Sequence, residues 1–189
     1  MVVRHGATQW SSAGRHTGRT DVPLTPEGEA QARALERRLG GRSFALVLTS
    51  PRLRARRTCE LAGFGPQARV TDDLQEWDYG RYEGRTTAEI RSERPGWSLW
   101  ADGVPGGESI EQVADRAERV VARARRADGD VLAFAHGHIL RVVAATWIGL
   151  PPSVGGSLLL QPAAIGVLGW EREHPVLERW DDAGGDPLA

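Results

Sequence analysis

Two histidines, each followed by a glycine, are the residues of this chain best suited to covalent chemistry. Arg4-His5-Gly6 follows the apolar residues 1–3, and His136-Gly137-His138 follows the apolar residues 131–135. A neutral imidazole at the mouth of a crevice is a usable nucleophile, and a neighbouring guanidinium grips an oxyanion such as phosphate. The pattern indicates attack on a phosphoryl group, although the first triplet alone fits a surface arginine and a turn histidine equally well.

The apolar runs explain how the two histidines could meet. Residues 44–48 and 131–135 are typical of buried parallel strands, and residues 1–3 resemble the end of another. In open α/β sheets, ligands bind outside the carboxyl ends of the strands. We therefore expect His5, His136 and Ser50, which follows the run at 44–48, to border one crevice.

Helical segments alternate with these strands. Arg54 lies on the first turn of one of them, and a helix N-terminus favours an anion. The alternation predicts an α/β fold, a three-layer α/β/α arrangement with a mostly parallel central sheet and helices on both faces. The predicted helices are Thr25-Pro26-Glu27 through to Gly40-Gly41, residues 52–61, about 86–93, Ser109 through Arg126, and 139–148.

The remaining segments are predicted to form loops and an edge of the sheet. Residues 7–24 are expected to be a long structureless loop, and residues 74–84 a loop dense in aromatic and acidic side chains. A short cap is predicted at about 81–107. Residues 165–170 and 176–180 should form an edge hairpin that turns at Glu173-His174-Pro175, with loop from Asp181 onwards. We expect one domain spanning residues 1–189.

Composition excludes several classes of function. The net charge of -1 gives no basic field for nucleic acid or an anionic membrane, so neither partner is expected. All 24 basic residues are arginine, which excludes a Walker A lysine and Schiff-base chemistry. Single arginines are correspondingly weak evidence of function. The lone Cys59 and the shortness of the longest apolar run, 142–150, predict a cytoplasmic protein.

Phosphoryl transfer needs positioning and charge neutralisation, which guanidinium and imidazolium groups supply without a metal or cofactor. The leaving alkoxide also needs a proton, and a buried carboxylic acid is its usual source. Glu76 is the candidate acid, and Glu83 is its rival because both lie in the same loop.

Arg4-His5-Gly6, Ser50 with Arg54, Glu76 and His136-Gly137 together resemble the histidine phosphatase superfamily, which includes cofactor-dependent phosphoglycerate mutase. The resemblance implies that His5 is the phosphorylated nucleophile and Glu76 the proton donor. It assigns phosphoryl binding to Arg4, Arg54 and His136. It implies a substrate pocket for a small phosphorylated metabolite, lined by Ser11, Thr17, Gly18, Tyr79, Gly137 and His138.

Within this superfamily the motifs are most similar to sugar bisphosphatases that act on sedoheptulose bisphosphate and to broad-specificity acid phosphatases. Three departures argue against a mutase. Ser11 stands where the family commonly has Asn, no lysine follows the Glu76 loop, and the cap is short. A short, open cap admits water, so the resemblance favours hydrolysis of small phosphomonoesters.

Several alternatives stay open at this stage. The chain could be a phosphate-transferring mutase or a weakly active phospho-ligand binding module, and it allows a homodimer. His136 and His138 resemble a metal-binding pair, but no further ligands follow at matched spacing. His16 and His174 are predicted to be surface histidines, and His138 could be functional or merely hydrogen-bonded. Trp77 and Tyr79 either line the pocket or pack under the cap.

Overall fold

A six-stranded sheet forms the centre of the computed structural model, which describes residues 1–184. Its strands run in the order β3-β2-β4-β1-β5-β6. The first four in this order are parallel to one another, and β5 and β6 are antiparallel to their neighbours. The strands are β1 (Val2–Arg4), β2 (Leu46–Thr49), β3 (Ala68–Val70), β4 (Val131–Ala135), β5 (Ile165–Glu171) and β6 (His174–Asp182). The predicted α/β fold, with an antiparallel hairpin at one edge, is confirmed.

Helices cover both faces of this sheet. Because side chains alternate along a strand, Val2 enters the core on one face and Val3 the core on the other. The α-helices of residues 1–184 are α1 (Gln9–Ser12), α2 (Pro26–Leu39), α3 (Leu53–Leu61), α4 (Thr87–Glu93), α5 (Leu99–Asp102), α6 (Ile110–Arg125) and α7 (Gly137–Trp147). Helices α2 and α3 pack with Val3, and α6 and α7 pack with Val2, which gives the three predicted layers.

The N-termini of α2 and α6 follow their sequence signals. Thr25 caps α2 by accepting a bond from Gly28 N at 3.0 Å, and α2 ends before Gly40 as predicted. Ser109 and Gln112 form the capping box of α6. Helix α7, however, begins at Gly137 rather than at residue 139. The apolar pattern starts only at Ile139, so the first turn of α7, which carries polar and small residues, escaped prediction.

Two predictions about loops were wrong. The segment 7–24 is not structureless, because Thr8 and Ser11 form a capping box that starts α1, and Thr8 bridges to Leu24. The last hairpin turns at residues 172–173, one step before the predicted turn, and β6 continues through Asp182. Asp182 is held there by an ion pair with Arg38 at 2.7 Å. Residues 185–189, the end of the predicted domain, lie outside the described residues.

The segment 81–107 contains the short helices α4 and α5 beside the carboxyl edge of the sheet. Trp97 is 2% exposed and donates from its indole Nε1 to Gly103 O at 2.9 Å. This bond fastens the residue after α5 to a buried aromatic side chain just before that helix. No helix within residues 1–184 combines the length and the apolar character required of a membrane span.

The chain leaves β1 through a close backbone contact with α2. A Cβ atom on Gly6 would overlap Gly28 O, and a Cβ atom on Gly28 would overlap Ala7 O. Neither position has a neighbouring flexible side chain that could move away, since both obstacles are main-chain atoms. The absence of side chains here lets the segment after His5 lie directly against the first turn of α2.

We predict that Gly28→Ala destabilises the fold. Alanine in a helix is usually worth about 0.5–1 kcal/mol over glycine, whereas forcing the two backbones apart should cost about 1–3 kcal/mol. Urea unfolding of the two proteins measures the difference. A variant as stable as the parent, or more stable, would show that the contact between residue 28 and Ala7 is not tight in solution.

Candidate active site

The two histidines predicted to meet do lie together at the carboxyl edge of the sheet. Arg4 in β1 is paired with Ala135 in β4, so the next residues, His5 and His136, leave adjacent parallel strands side by side. His5 N donates to Ala135 O at 2.9 Å. The ring centroids of His5 and His136 are 5.2 Å apart, with an angle of 61° between the rings.

Hydrogen bonding fixes the tautomer of His5. Its Nδ1 lies 2.7 Å from Gly6 O, and a carbonyl oxygen can only accept, so Nδ1 carries the proton. The lone pair is therefore on Nε2. His5 is 4% exposed. Burial lowers the pKa of His5 well below its usual 6.5, and Arg54 and Arg4 lower it further. A neutral ring with a free Nε2 lone pair is the form required of a nucleophile.

His136 is oriented by partners on both ring nitrogens. Arg54 Nε donates to His136 Nδ1 at 3.1 Å, which leaves the proton on Nε2. Nε2 lies 2.7 Å from Ser50 Oγ and donates to it. Burial is the main cause of the lowered pKa of His136, with contributions from Arg54 and His5. The neutral ring is thus held between Arg54 of α3 and Ser50, the residue after β2.

Arg54 is fully buried, and no carboxylate within residues 1–184 bonds to it. Besides His136, its guanidinium donates to Thr17 O at 2.8 Å, Gly18 O at 3.1 Å and Thr20 O at 2.9 Å. Burial lowers the pKa of Arg54, and the Glu76 carboxylate opposes this shift. Arg54 therefore keeps its charge in the crevice while it holds the loop that contains Thr17 and Gly18.

Arg4 supplies a second cation with a donor to spare. Its Nη1 donates to Leu160 O at 2.6 Å, whereas its Nε is buried without a partner within the described residues. A Cβ atom on Gly137 would lie 3.4 Å from this Nε, so glycine makes room for the arginine at the start of α7. An unpaired buried donor beside His136 is suited to a phosphoryl oxygen.

Glu76 is buried, as predicted, and caps α7 from outside the helix. Its Oε1 accepts from Trp77 N and Ile139 N, both at 2.9 Å, and its Oε2 accepts from His138 N at 3.0 Å. Three main-chain amides, two of them at the positive end of α7, thus hold both carboxyl oxygens in place.

The rival acid Glu83 has a different task. Its carboxylate accepts from Gly18 N at 2.9 and 3.0 Å and from Thr20 N at 3.0 Å. The loop is therefore held by Glu83 through its amides and by Arg54 through its carbonyls. A side chain on Gly18 would collide with Trp77 O and with the Glu83 carboxylate, so only glycine fits between them.

The structure places the predicted pocket residues unequally. Thr17 and Gly18 adjoin Arg54, and Gly137 and His138 begin α7 beside Glu76. The Ser11 hydroxyl is instead bonded to Thr8. Its Oγ donates to Thr8 O and accepts from Thr8 N.

A buried aromatic cluster lies on the other side of Glu76. Tyr79 is 1% exposed, and its hydroxyl lies 2.6 Å from His138 Nδ1. Trp77 is fully buried and donates from Nε1 to Glu108 O, so both aromatic residues pack in the core.

Of the two histidines predicted to lie at the surface, His174 is exposed as predicted, but His16 is not a surface residue. It is 8% exposed beside Tyr79 and Trp97, and burial lowers its pKa to about 4.

Some residues that shape the site were missed from the sequence. Arg116 of α6 donates to Gln75 O at 2.7 Å and to Glu108, and Glu108 in turn accepts from Asp78 N. These contacts hold the main chain on either side of Glu76. In a chain whose basic residues are all arginine, nothing distinguished Arg116 from its neighbours. Within residues 1–184, no cluster of His, Cys, Asp and Glu side chains suits a metal ion.

Comparison with known proteins agrees with this geometry. The chain is 44% identical over 175 residues to an acid phosphatase of Mycobacterium tuberculosis, with 90% of this chain and 86% of the relative covered. It is 41% identical over 183 residues to the sedoheptulose 1,7-bisphosphatase of Saccharomyces cerevisiae, with 79% of this chain and 67% of the relative covered.

Solved structures share the fold over nearly the whole chain. The structure of an open reading frame of Mycobacterium tuberculosis matches with a TM-score of 0.91 and 42% identity, covering 96% of this chain and 95% of that one. A mycobacterial glucosyl-3-phosphoglycerate phosphatase matches with a TM-score of 0.85 and 30% identity, covering 96% and 97%. The family model of the histidine phosphatase superfamily (branch 1) matches residues 1–183. The chain therefore belongs to the histidine phosphatase superfamily, and it is a phosphoric monoester hydrolase.

Proposed function

We propose that the chain hydrolyses small phosphomonoesters through a phosphohistidine at His5, without a metal or cofactor. The observation that carries this proposal is the bond from His5 Nδ1 to Gly6 O, which leaves Nε2 as a nucleophile beside His136, the buried Arg54 and the half-buried Arg4. The proposed roles follow the resemblance: Arg4, Arg54 and His136 bind the phosphoryl group, and Glu76 donates a proton to the leaving oxygen.

In the first step, His5 Nε2 attacks phosphorus, and the N–P bond forms as the P–O ester bond breaks. Arg4 and Arg54 neutralise the charge on the phosphoryl oxygens. Protonated Glu76 gives its proton to the leaving oxygen, and the alcohol departs. The proton on His5 Nδ1 remains shared with Gly6 O, which fixes the ring while its other nitrogen carries phosphorus.

In the second step, water attacks the phosphorus of the phosphohistidine. The Glu76 carboxylate accepts a proton from this water, the N–P bond breaks, and inorganic phosphate leaves. Glu76 is then protonated again and ready for the next ester. The amides of α7 stabilise its carboxylate form between the two proton transfers.

The substrate class follows from the relatives and from the crevice. Names such as acid phosphatase and sedoheptulose 1,7-bisphosphatase support a small phosphorylated metabolite, either a sugar phosphate or a broader range of phosphomonoesters. Ser11, Thr17, Gly18, Tyr79, Gly137 and His138 are proposed to surround its alcohol part. A homodimer stays a prediction. A cytoplasmic location is proposed because the only cysteine, Cys59, is unpaired and buried.

A mutase is the second candidate, because the chain is 30% identical over 189 residues to a probable phosphoglycerate mutase GpmB of Salmonella choleraesuis. A mutase must retain its phosphorylated ligand while the ligand changes its orientation between the two phosphoryl transfers. The short cap favours the hydrolase, and the ratio of inorganic phosphate released to phosphoryl groups transferred separates the two activities.

We predict that acid-free quenching during turnover of p-nitrophenyl phosphate traps a phosphoryl group on His5, detected by mass spectrometry. His5→Ala should lose both the label and all measurable turnover, because both ring nitrogens of the neighbouring His136 are already bonded, to Arg54 and Ser50. His174→Ala is the matched control, since that histidine is exposed and remote from the site, and it should keep both. A label absent from the parent, or persisting in His5→Ala, would contradict the mechanism.

Glu76→Gln should slow alkyl phosphates about 10²–10⁴-fold, and p-nitrophenyl phosphate much less, because nitrophenolate leaves without a proton. The glutamine amide also leaves one of the three main-chain donors unpaired, so the variant should lose about 1–3 kcal/mol of stability. Urea unfolding measures that loss, and assays are run where the variant is folded. An equal loss of rate for both leaving groups would reject Glu76 as the acid.

Activity should be maximal on the acidic side of neutrality. The substrate phosphate becomes a monoanion below its pKa of about 6, and the lowered pKa of His5 keeps the nucleophile neutral there. Activity should therefore rise as pH falls through neutrality and decline only at a pH low enough to protonate His5. A profile of kcat/KM against pH that peaks well above neutrality would contradict this assignment.

A further inference from the structure

Arg116 of α6 and Glu108 form a bidentate ion pair beside the loop that carries Glu76. Nε and Nη2 of Arg116 each donate at 2.8 Å to one of the two carboxylate oxygens of Glu108. The Arg116 side chain is 11% exposed, and that of Glu108 is 23% exposed. A planar guanidinium in this arrangement fixes the direction of the carboxylate as well as its distance. The pair is therefore a rigid unit that can hold other groups.

The remaining nitrogen of Arg116 holds the main chain that leads into Glu76. Nη1 donates to Asp73 O at 3.0 Å and to Gln75 O at 2.7 Å. Gln75 directly precedes Glu76, so its carbonyl oxygen belongs to the same planar peptide unit as Glu76 N. A bond to this oxygen therefore fixes the plane from which residue Glu76 starts.

Glu108 holds the main chain that follows Glu76. Its Oε2 accepts from Asp78 N at 2.9 Å, and its own N–H donates to Asp78 O at 3.0 Å. Its carbonyl oxygen accepts from Trp77 Nε1 at 2.9 Å. A Cβ atom on Gly107 would overlap Asp78 O, so the two main chains are in direct contact. The ion pair is thus bonded to the chain on both sides of Glu76.

Residues 76–79 have no regular secondary structure to hold them. The Glu76 carboxylate bonds to two main-chain amides of α7, which requires the loop to lie at one particular distance from that helix. A partly buried ion pair is by itself weak evidence of stabilisation, because desolvation offsets the attraction of its charges. The bonds of Arg116 and Glu108 instead converge on the residues next to the proposed acid.

We propose that Arg116 and Glu108 are positioning residues for proton transfer by Glu76. They keep the loop where the carboxyl group reaches the leaving oxygen in the first step and the attacking water in the second. The proposal rests on the proposed function and deepens it, because both residues act through Glu76. Loss of the pair is expected to move the acid while His5 and its cations stay in place.

The test compares Arg116→Lys with the parent on propyl phosphate and p-nitrophenyl phosphate. Lysine keeps the positive charge beside Glu108, but its single ammonium group cannot span the carboxylate and the two carbonyl oxygens. Because misplacement by about 1 Å can cost about 10²-fold in rate, kcat/KM for propyl phosphate should fall about 10–10²-fold. The value for p-nitrophenyl phosphate should change little, since nitrophenolate leaves without a proton. The second step does not enter either value, because kcat/KM covers only the steps up to departure of the alcohol.

Glu108→Gln is the second variant and decides the test if the first does not fold. Its carboxamide oxygen can still accept from Asp78 N, but the bidentate pair is lost, so the same selective loss is expected. Arg119→Met is the matched control and should keep the parent's ratio of the two kcat/KM values. Arg119 pairs with the Asp73 side chain at 2.8 Å, but it is 57% exposed. In the described part of the protein its side chain has no bond to the main chain beside Glu76.

Phosphohistidine provides a readout that a loss of folded protein would not raise. In the second step Glu76 accepts a proton from water, so displacement of Glu76 should also slow the release of phosphate. Arg116→Lys and Glu108→Gln should therefore carry more phosphorylated His5 than the parent during turnover of p-nitrophenyl phosphate. A label no higher than in the parent would contradict the proposal.

The variant Glu76→Gln separates the two ways in which the proposal can fail. If Glu76→Gln slows propyl phosphate selectively, while Arg116→Lys and Glu108→Gln slow both esters equally or slow neither, the proposal is overturned and the proposed function stands. If Glu76→Gln itself slows both esters equally, the proposed role of Glu76 and the present proposal are overturned together.

Discussion

The parallel pairing of β1 with β4, with Arg4 opposite Ala135, is the constraint on which the whole site depends. Parallel strands end at the same edge of a sheet, so the residues that follow this pair are forced into contact without any bond between their side chains. His5 and His136 thus meet through main-chain register, which a mutation at the surface cannot easily shift. The other groups of the site are fastened to this fixed pair.

The two cations of the site, Arg54 and Arg4, are bonded mainly to neutral groups. Arg54 donates to three loop carbonyls and one imidazole, and Arg4 donates to Leu160 O, while Glu76 acts on both only through space. Direct ion pairs would cancel much of the positive charge that an incoming phosphate needs. Carbonyl dipoles satisfy the N–H donors and leave the net charge in place, so the same contacts that order the loop around Gly18 also maintain an anion site.

The sequence predicted the fold and the central residues because each signal was local and repeated. Two buried strands, each ending in a histidine and a glycine, could be placed at one edge by the rules of parallel sheets alone. Contacts between distant segments were not predictable in the same way. The burial of His16, the cap that Glu76 forms on α7 and the support from Arg116 all depend on side chains that meet only after folding. Polar loop residues show no periodic pattern from which such partners could be predicted.

The attachment of Glu76 to α7 uses N–H groups of the main chain, which every residue except proline possesses. The identity of the side chain at position 138 is therefore decoupled from the placement of the acid. A substitution at this position, proline aside, therefore leaves the main-chain donors to Glu76 in place, so the first turn of α7 can vary in side chain while the carboxylate stays where it is.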